Sequence, residues 1–446
     1  MQKIESFLNK YIGPIATYMN NSLFFGSLTE AFMRTTPVTL GAAVILLIGN
    51  FPIPAYLDFL SNSGIATHFS AAQNATMNAL SLYIVFNFSY VYAKKNNYEA
   101  LSAGLLAVAN FLLLAPQSYS IAQMSAVPTE FPTEATITGV TNLSAFATTY
   151  TGARGIIVAI IVGWLTGYLY VLFNKKNLVL KLPSSVPPNV SESLRPSILS
   201  GLILLIFIAI RMVFAFVPWL NNYGDIFTFI GDMIQAPLTS FVSSPLSVLV
   251  IFTIANILWF FGIHPSMIYG LVAPISQANL IDNQNAFQAG EPLPFLLYAV
   301  ILFGISNGFG GQGTTIGLVI SMFRAKSERY KQLFKLVSIP SLFNINEPLI
   351  FGMPIMMNPI FFIPMVIITP VTGGLAWFLS NVFNYTEHNP MMMLPWTTPA
   401  IVSSILMGGI KLFIIAIVIV VVSFIIWYPF FQIADARALK EEKESA

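Results

Sequence analysis

The chain has 446 residues, 56% of them hydrophobic and only 9% charged. An ordinary soluble domain carries about 25% charged residues, so lipid must replace water over much of this surface, as the mean hydropathy of +0.75 also indicates. A formal net charge of +2 argues against nucleic acid as a partner, and three histidines with no cysteine exclude a thiolate metal site, a disulfide framework and a catalytic thiol.

Residues 1–28 lack the compact apolar core and small-residue cleavage site of a signal peptide. Ile4, Phe7, Leu8, Tyr11 and Ile12 recur at helical spacing among Lys3, Glu5 and Lys10, which predicts an amphipathic helix lying in the cytoplasmic interface. A solvated tail is the alternative. Five apolar runs follow, at 31–50, 75–93, 99–117, 153–174 and 197–218, each close to the roughly 20 residues that cross a bilayer. Between the third and fourth lies 118–152, rich in Thr, Ser, Ala and Pro, an external loop with room for short extended segments. The stretch 222–243 is apolar but broken by Asp225, Asp232 and Pro237, and reads as partly horizontal. Further spans are predicted at 244–262, 293–320, 355–380 and 409–431. Around 262–280 and 338–354 the chain is apolar yet full of Gly, Pro, Asn and Ser, a poor composition for continuous helix. The expectation is an all-α polytopic membrane protein with nine or ten crossings and two short irregular insertions.

Orientation comes from Lys and Arg. They cluster at Lys94/Lys95, at Lys175/Lys176/Lys181 with Arg195, from Arg324 to Lys335, and from Arg437 to Lys443. The loops 51–74, 118–152 and 381–395 contain none and carry Asp58, Glu130, Glu134 and Glu387 instead. The two sets alternate in step with the first five spans, which predicts both termini in the cytoplasm. Four regions result: 1–28, an interfacial segment; 29–218, five plain spans; 219–432, with nearly all the interrupted ones; and 433–446, a cytoplasmic tail. Broken helices in a bilayer are tolerated where freed backbone lines a polar cavity. The second half is therefore expected to carry the solute.

Glu347 stands in SIPSLFNINEPLIFGMPIMMNP, apolar on both sides, with Asn344 and Asn346 before it and Pro348 after it. A carboxylate at membrane depth costs about 2.5–3.5 kcal/mol, and Pro348 disfavours helix at Glu347, which predicts a carboxylate on non-helical backbone facing a polar cavity. Capping a helix that begins at Pro348 is the structural alternative, and the two are compatible. His264 lies in ILWFFGIHPSMIYG, another interrupted apolar stretch. It is either a satisfied core histidine or a group that accepts from and donates to a hydroxyl near neutral pH. Trp259 and Trp396 flank these segments and suit either the apolar face of a pyranose ring or the membrane interface. Arg154, at a span boundary, is an anchor or a site residue. His68 and His388 fall in external loops and read as incidental. NGFGGQGTTIG at 307–317 has neither the spacing nor the setting of a phosphate loop; its glycines are expected to permit close packing.

In these motifs the chain resembles the membrane component, IIC, of the lactose/cellobiose/diacetylchitobiose branch of the bacterial sugar phosphotransferase system. The resemblance spans nearly the whole chain, is most specific in FNINEPLIFGMPIMMNP, and is supported by WFFGIHPSMI, GGQGTTIGL and LPWTTP. It implies a homodimer in the bacterial inner membrane, each chain with ten spanning helices and two re-entrant hairpins. The dimer interface would lie in the first half and the sugar pocket in the second. It further implies a β-linked disaccharide whose C6 hydroxyl lies near Glu347 and His264, with Asn344 and Asn346 close by and Trp259 and Trp396 beside the rings. The phosphoryl donor would be a phosphocysteine on a IIB partner, fed by IIA and the general phosphotransferase proteins. No metal or cofactor is implied. With no cysteine in this chain, IIB is expected as a separate protein. The competing reading is a proton-coupled secondary sugar transporter with Glu347 as the proton carrier. A membrane enzyme acting on lipid-linked sugars would need a metal cluster or nucleophile motif that the sequence does not offer.

Overall fold

A computed structural model describes residues 22–51, 53–124, 137–180, 183, 194–261, 265–305, 308–353, 355, 356 and 358–445. The predicted amphipathic helix within 1–28 therefore lies almost wholly outside the described residues. Among the described residues the regular structure is helical except for one two-stranded antiparallel sheet. Among the described residues four helices are long and apolar enough to cross a membrane: Gly155–Lys175, Ser197–Phe216, Pro359–Val382 and the final helix from Ala400. Counting bent pairs as single spans raises the number to six, one pair being Ile226–Val242 with Pro245–Phe260, bent by 74°. The architecture is that of a multi-pass helical membrane protein, as the hydropathy requires.

The chain forms two compact units. One comprises Leu23–Pro37 and Asn74–Pro237, the other Val38–Gln73 and the chain from Leu238 onward. They are called the proximal and distal units below.

In the proximal unit, Leu80–Lys95, Ala100–Leu114 and Gly155–Lys175 pack together. Small residues let the backbones approach, the usual device between helices in lipid. A Cβ at Gly163 would stand 3.0 Å from the Val85 carbonyl oxygen, and one at Gly167 3.2 Å from Tyr92 Cβ. Hydrogen bonds join the same faces: Ser89 Oγ donates to the Ala103 carbonyl at 2.9 Å, and Asn110 Nδ2 to Thr166 Oγ1 at 3.1 Å. Arg211 on Ser197–Phe216 donates to the Leu113 and Ala115 carbonyls, satisfying acceptors at the end of Ala100–Leu114 that have no partner within their own helix. The predicted external loop contains the strands Ser118–Met124 and Ile137–Ser144, antiparallel with Ser118 opposite Ser144.

The distal unit holds Pro245–Phe260, Ser266–Ala289, Leu296–Ile305, Ile316–Met322, Glu328–Leu342, Glu347–Gly352, Pro359–Val382 and Ala400–Ser445. Its largest core cluster gathers Phe260, Leu318, Leu349, Ile350, Phe361, Met365, Trp427 and Phe431. The last helix is interrupted at Gly408 and Gly409, Gly409 with φ of 60°.

Two sequence expectations change here. The span predicted at 293–320 is not continuous: helix stops at Ile305 and resumes at Ile316, with glycines at positive φ between them. Conversely, 262–280, expected to be irregular, becomes helix from Ser266 to Ala289 with Pro274 inside it. Its polar side chains are compatible with helix because several of them line a cavity.

Candidate functional site

Three short loops of the distal unit interlock. Gly310, Gly311 and Gly313 have φ of 85°, 88° and 86°, a region that a side chain strains and glycine enters freely. Asn344, also left-handed with φ of 68°, is buried. Its Oδ1 accepts from the Gly310 amide at 3.1 Å, while its Nδ2 donates to the carbonyls of Trp396 at 2.8 Å and Thr398 at 3.0 Å. Asn346 is equally buried and donates through Nδ2 to the Gln312 carbonyl at 2.8 Å and to Thr315 Oγ1 at 3.0 Å. A Cβ on Gly311 would come within 2.4 Å of Asn346 Cγ. The motifs GGQGTT, FNINEP and LPWTTP, distant in sequence, thus form one clasp, and the expected role of the glycines in close packing is met.

From the clasp a chain of amides runs into the unit. Gln312 Oε1 accepts from the Tyr269 hydroxyl, and Gln312 Nε2 donates to Asn256 Oδ1. Asn256 Nδ2 in turn reaches Thr369 Oγ1 at 2.5 Å. Four helices or loops that supply polar groups are therefore held in register.

Beside the clasp is a cavity of about 490 Å³, walled by Ser266–Ala289, Leu296–Ile305, the segment 388–398 and the start of the last helix. Its size falls in the range of small-molecule pockets. Apolar residues such as Leu302, Phe303 and Met407 make much of the wall; Ser276, Gln277, Asn279, Asn283 and Tyr298 provide polar points. Two of these are unsatisfied: Gln277 Oε1 and Asn279 Oδ1 are buried without a hydrogen-bond partner among the described residues. A buried acceptor left unmade costs about 1–3 kcal/mol, so such oxygens call for hydroxyl or amide donors. Other polar atoms of the wall are fixed: Asn279 donates through its Nδ2 to Ser243 Oγ at 2.7 Å, Ser276 Oγ meets the Tyr298 hydroxyl at 2.5 Å, and Asn283 Oδ1 accepts from the Phe295 amide at 2.8 Å.

Each residue singled out from the sequence has a definite place. Trp396 is on the cavity wall and 62% exposed. Asn344 and Asn346 build the clasp next to it. Trp259, at the end of Pro245–Phe260, is buried in the large apolar cluster. Arg154 is exposed on the turn before Gly155–Lys175, in the proximal unit. Backbone at Glu347 is not extended as the following proline suggested. It is the first residue of Glu347–Gly352, with Asn346 as N-cap and Pro348 in the first turn, where its missing N–H would be unpaired in any case. The roles expected of the Glu347 side chain and of His264 fall outside the described residues.

His388 was misread from the sequence. It is buried, lines the cavity, and its Nδ1 lies 3.3 Å from the Tyr385 hydroxyl. Burial lowers its pKa to about 4, so the imidazole is neutral at physiological pH. The segment between Pro359–Val382 and the last helix folds back over the unit, which no local pattern announces. The polar wall had a signal that was passed over: Ser276, Gln277, Asn279 and Asn283 recur along one side of a helix in an otherwise apolar chain.

A multi-pass helical membrane protein with a polar-studded cavity inside one unit, clasped by non-helical loops, has the build of a solute permease. The family profile described as "Phosphotransferase system, EIIC" matches residues 29–370. The galactose-specific EIIC component of the phosphotransferase system of Lactococcus lactis subsp. cremoris is 46% identical over 99% of this chain and 98% of its own. The lichenan permease IIC component of Bacillus subtilis is 33% identical over 100% and 96%. Among solved structures, the transporter ChbC, the IIC component from the N,N'-diacetylchitobiose-specific phosphotransferase system, superposes with a TM-score of 0.87 at 27% identity, covering 98% of this chain and 99% of the other. The chain belongs to the EIIC family: it is a membrane-embedded sugar permease component of a phosphotransferase system.

Proposed function

We propose that this permease carries a β-linked disaccharide inward and presents its C6 hydroxyl to the phosphocysteine of a separate IIB protein. The observation that carries this reading is the cavity: the amide side chains of Gln277 and Asn279 in its wall, each with an oxygen lacking a partner among the described residues, an aromatic rim at Trp396 and a size fit for a small polar ligand. Ring hydroxyls donate to such oxygens, and the apolar face of a pyranose suits an indole. The 46% identical relative is named galactose-specific, which brings galactose, free or as part of a disaccharide such as lactose, to the front of the candidates. Cellobiose and diacetylchitobiose follow.

In the proposed transfer, the C6 oxygen attacks the phosphorus, the S–P bond breaks, and the thiolate leaves on IIB. Glu347 orients the hydroxyl and receives its proton, with His264 bonded to the same hydroxyl and Trp396 packed against a ring. The protein contributes positioning and charge stabilisation, as phosphoryl transfer generally requires. None of the 446 residues is a cysteine, in keeping with a phosphocysteine proposed to lie on a separate IIB protein and charged through IIA and the general phosphotransferase proteins. The Lys and Arg pattern supports cytoplasmic termini, and two copies are proposed to pair through their proximal units.

Uptake of labelled lactose, cellobiose and diacetylchitobiose into vesicles, with and without phosphorylated IIB, tests the reading. The expected product is a 6-phosphosugar, accumulated only with IIB, and absent in Glu347→Gln and His264→Ala. Accumulation of unmodified sugar driven by a proton gradient would replace it with secondary transport.

A further inference from the structure

A second cavity, of about 510 Å³, lies between the turn after Ile316–Met322 and the end of the last helix. Arg324, Lys326, Lys440 and Lys443 line it over a floor that includes Tyr428 and Phe431. The helical members share one face, since positions 428, 432, 436, 440 and 443 succeed one another at three- and four-residue steps.

The acids nearby are engaged elsewhere. Asp435, also in the wall, accepts from the Lys326 amide at 2.8 Å, the Ser327 amide at 3.0 Å and Ser327 Oγ at 2.6 Å. Glu442 caps Glu328–Leu342 by accepting from the Glu328 and Arg329 amides, and Glu441 pairs with Arg329 at 3.0 Å. Lys440 reaches only the exposed Glu444, at 3.7 Å. Among the described residues, the side chains of Arg324, Lys326 and Lys443 form no ion pair. Four cations against the single carboxylate of Asp435 leave the cleft with a positive balance, which calls for an anion.

Location narrows its identity. The cleft begins where the apolar run of the last helix ends, and beside it Phe323, Ile425 and Ile433 are exposed, Phe323 by 79%. A ligand that fits both surfaces has a phosphate head and hydrocarbon tails. We infer that this cleft binds the headgroup of an anionic phospholipid, with the acyl chains lying along Phe323, Ile425 and Ile433. Basic pockets at the end of spanning helices bind such headgroups, each cation contributing about fivefold in affinity.

The test is native mass spectrometry of the full-length protein in detergent, titrated with dioleoylphosphatidylglycerol or dioleoylphosphatidylcholine. Selective retention of phosphatidylglycerol is expected. The triple variant Arg324→Gln/Lys440→Gln/Lys443→Gln should weaken it about a hundredfold, and Lys440→Arg/Lys443→Arg should retain it. If the triple variant does not fold, the exposed pair Lys440→Gln/Lys443→Gln should still show a loss of about twenty-five-fold. Equal binding of the two lipids, or unchanged binding in a folded glutamine variant, would overturn the inference. So would competition by sn-glycerol 3-phosphate at the lipid's own concentration, which would make this a site for soluble phosphates. Loss of IIB-dependent sugar phosphorylation with lipid retention intact would make it a protein-docking face instead.

Discussion

Gln277 buries a side-chain carbonyl oxygen in the cavity wall with no partner among the described residues. If that oxygen waits for a sugar hydroxyl, then Gln277→Met, similar in length and unbranched, should lower sugar affinity about tenfold, the value of one hydrogen bond. Thermal stability should hold or rise, because an unmet acceptor has been removed. Calorimetric titration together with a detergent melt separates the two effects; unchanged affinity would take Gln277 out of the site. His388 gives a pH test. Its pKa falls from 6.5 to about 4 on burial, so the unfolded chain binds a proton that the folded one refuses as pH drops below 6.5. Stability should be unaffected above that pH and lower by about 2 kcal/mol at pH 5. His388→Gln should flatten the dependence in melts at pH 7.5 and pH 5. Trp396, found beside the cavity, could be picked out by residue type and motif. His388 could not, because its burial comes from a loop folding over other elements rather than from its neighbours in sequence.

At the level of elements, the clasp depends on backbone that only glycine adopts freely. Gly311→Ala would meet both a φ of 88° and a Cβ 2.4 Å from Asn346 Cγ. Left-handed backbone adds about 1–2 kcal/mol and overpacking about 1–3 kcal/mol, so a loss of about 2–5 kcal/mol is expected in a melt, along with transport. Gly374→Ala, with open space around its Cβ, serves as the control and should be neutral or slightly stabilising by helix propensity. Spans at 153–174, 197–218 and 355–380 were legible, matching Gly155–Lys175, Ser197–Phe216 and Pro359–Val382, because a helix in lipid closes its own hydrogen bonds and needs only a long apolar run. The break inside 293–320 was not, since Gly310, Gly311 and Gly313 leave the apolar average high. Nor was Ser266–Ala289, whose polar residues look like a loop until the cavity they line is known.

For the molecule as a whole, the proposed homodimer concerns the proximal unit. There Ser197–Phe216 is only 22% buried over its most apolar window, and Leu205 is 61% exposed. The chain has no cysteine of its own, so single cysteines report cleanly. Leu205→Cys should cross-link between copies in membranes under mild oxidation, whereas Leu246→Cys, 70% exposed on the distal unit, should not. The reverse pattern, or none, would end the proposal for this face. Membrane residence and the ladder of apolar helices follow from sequence by itself, because transfer of a side chain into lipid is a local property summed along the run. So does the family, carried by short motifs whose residues stay adjacent in the chain. Which polar groups meet around one cavity, and that His388 is buried there, were decided only by tertiary structure. Hydrogen bonds such as Asn344 to Trp396 and Thr398 span more than 50 residues, and no window of sequence contains both ends.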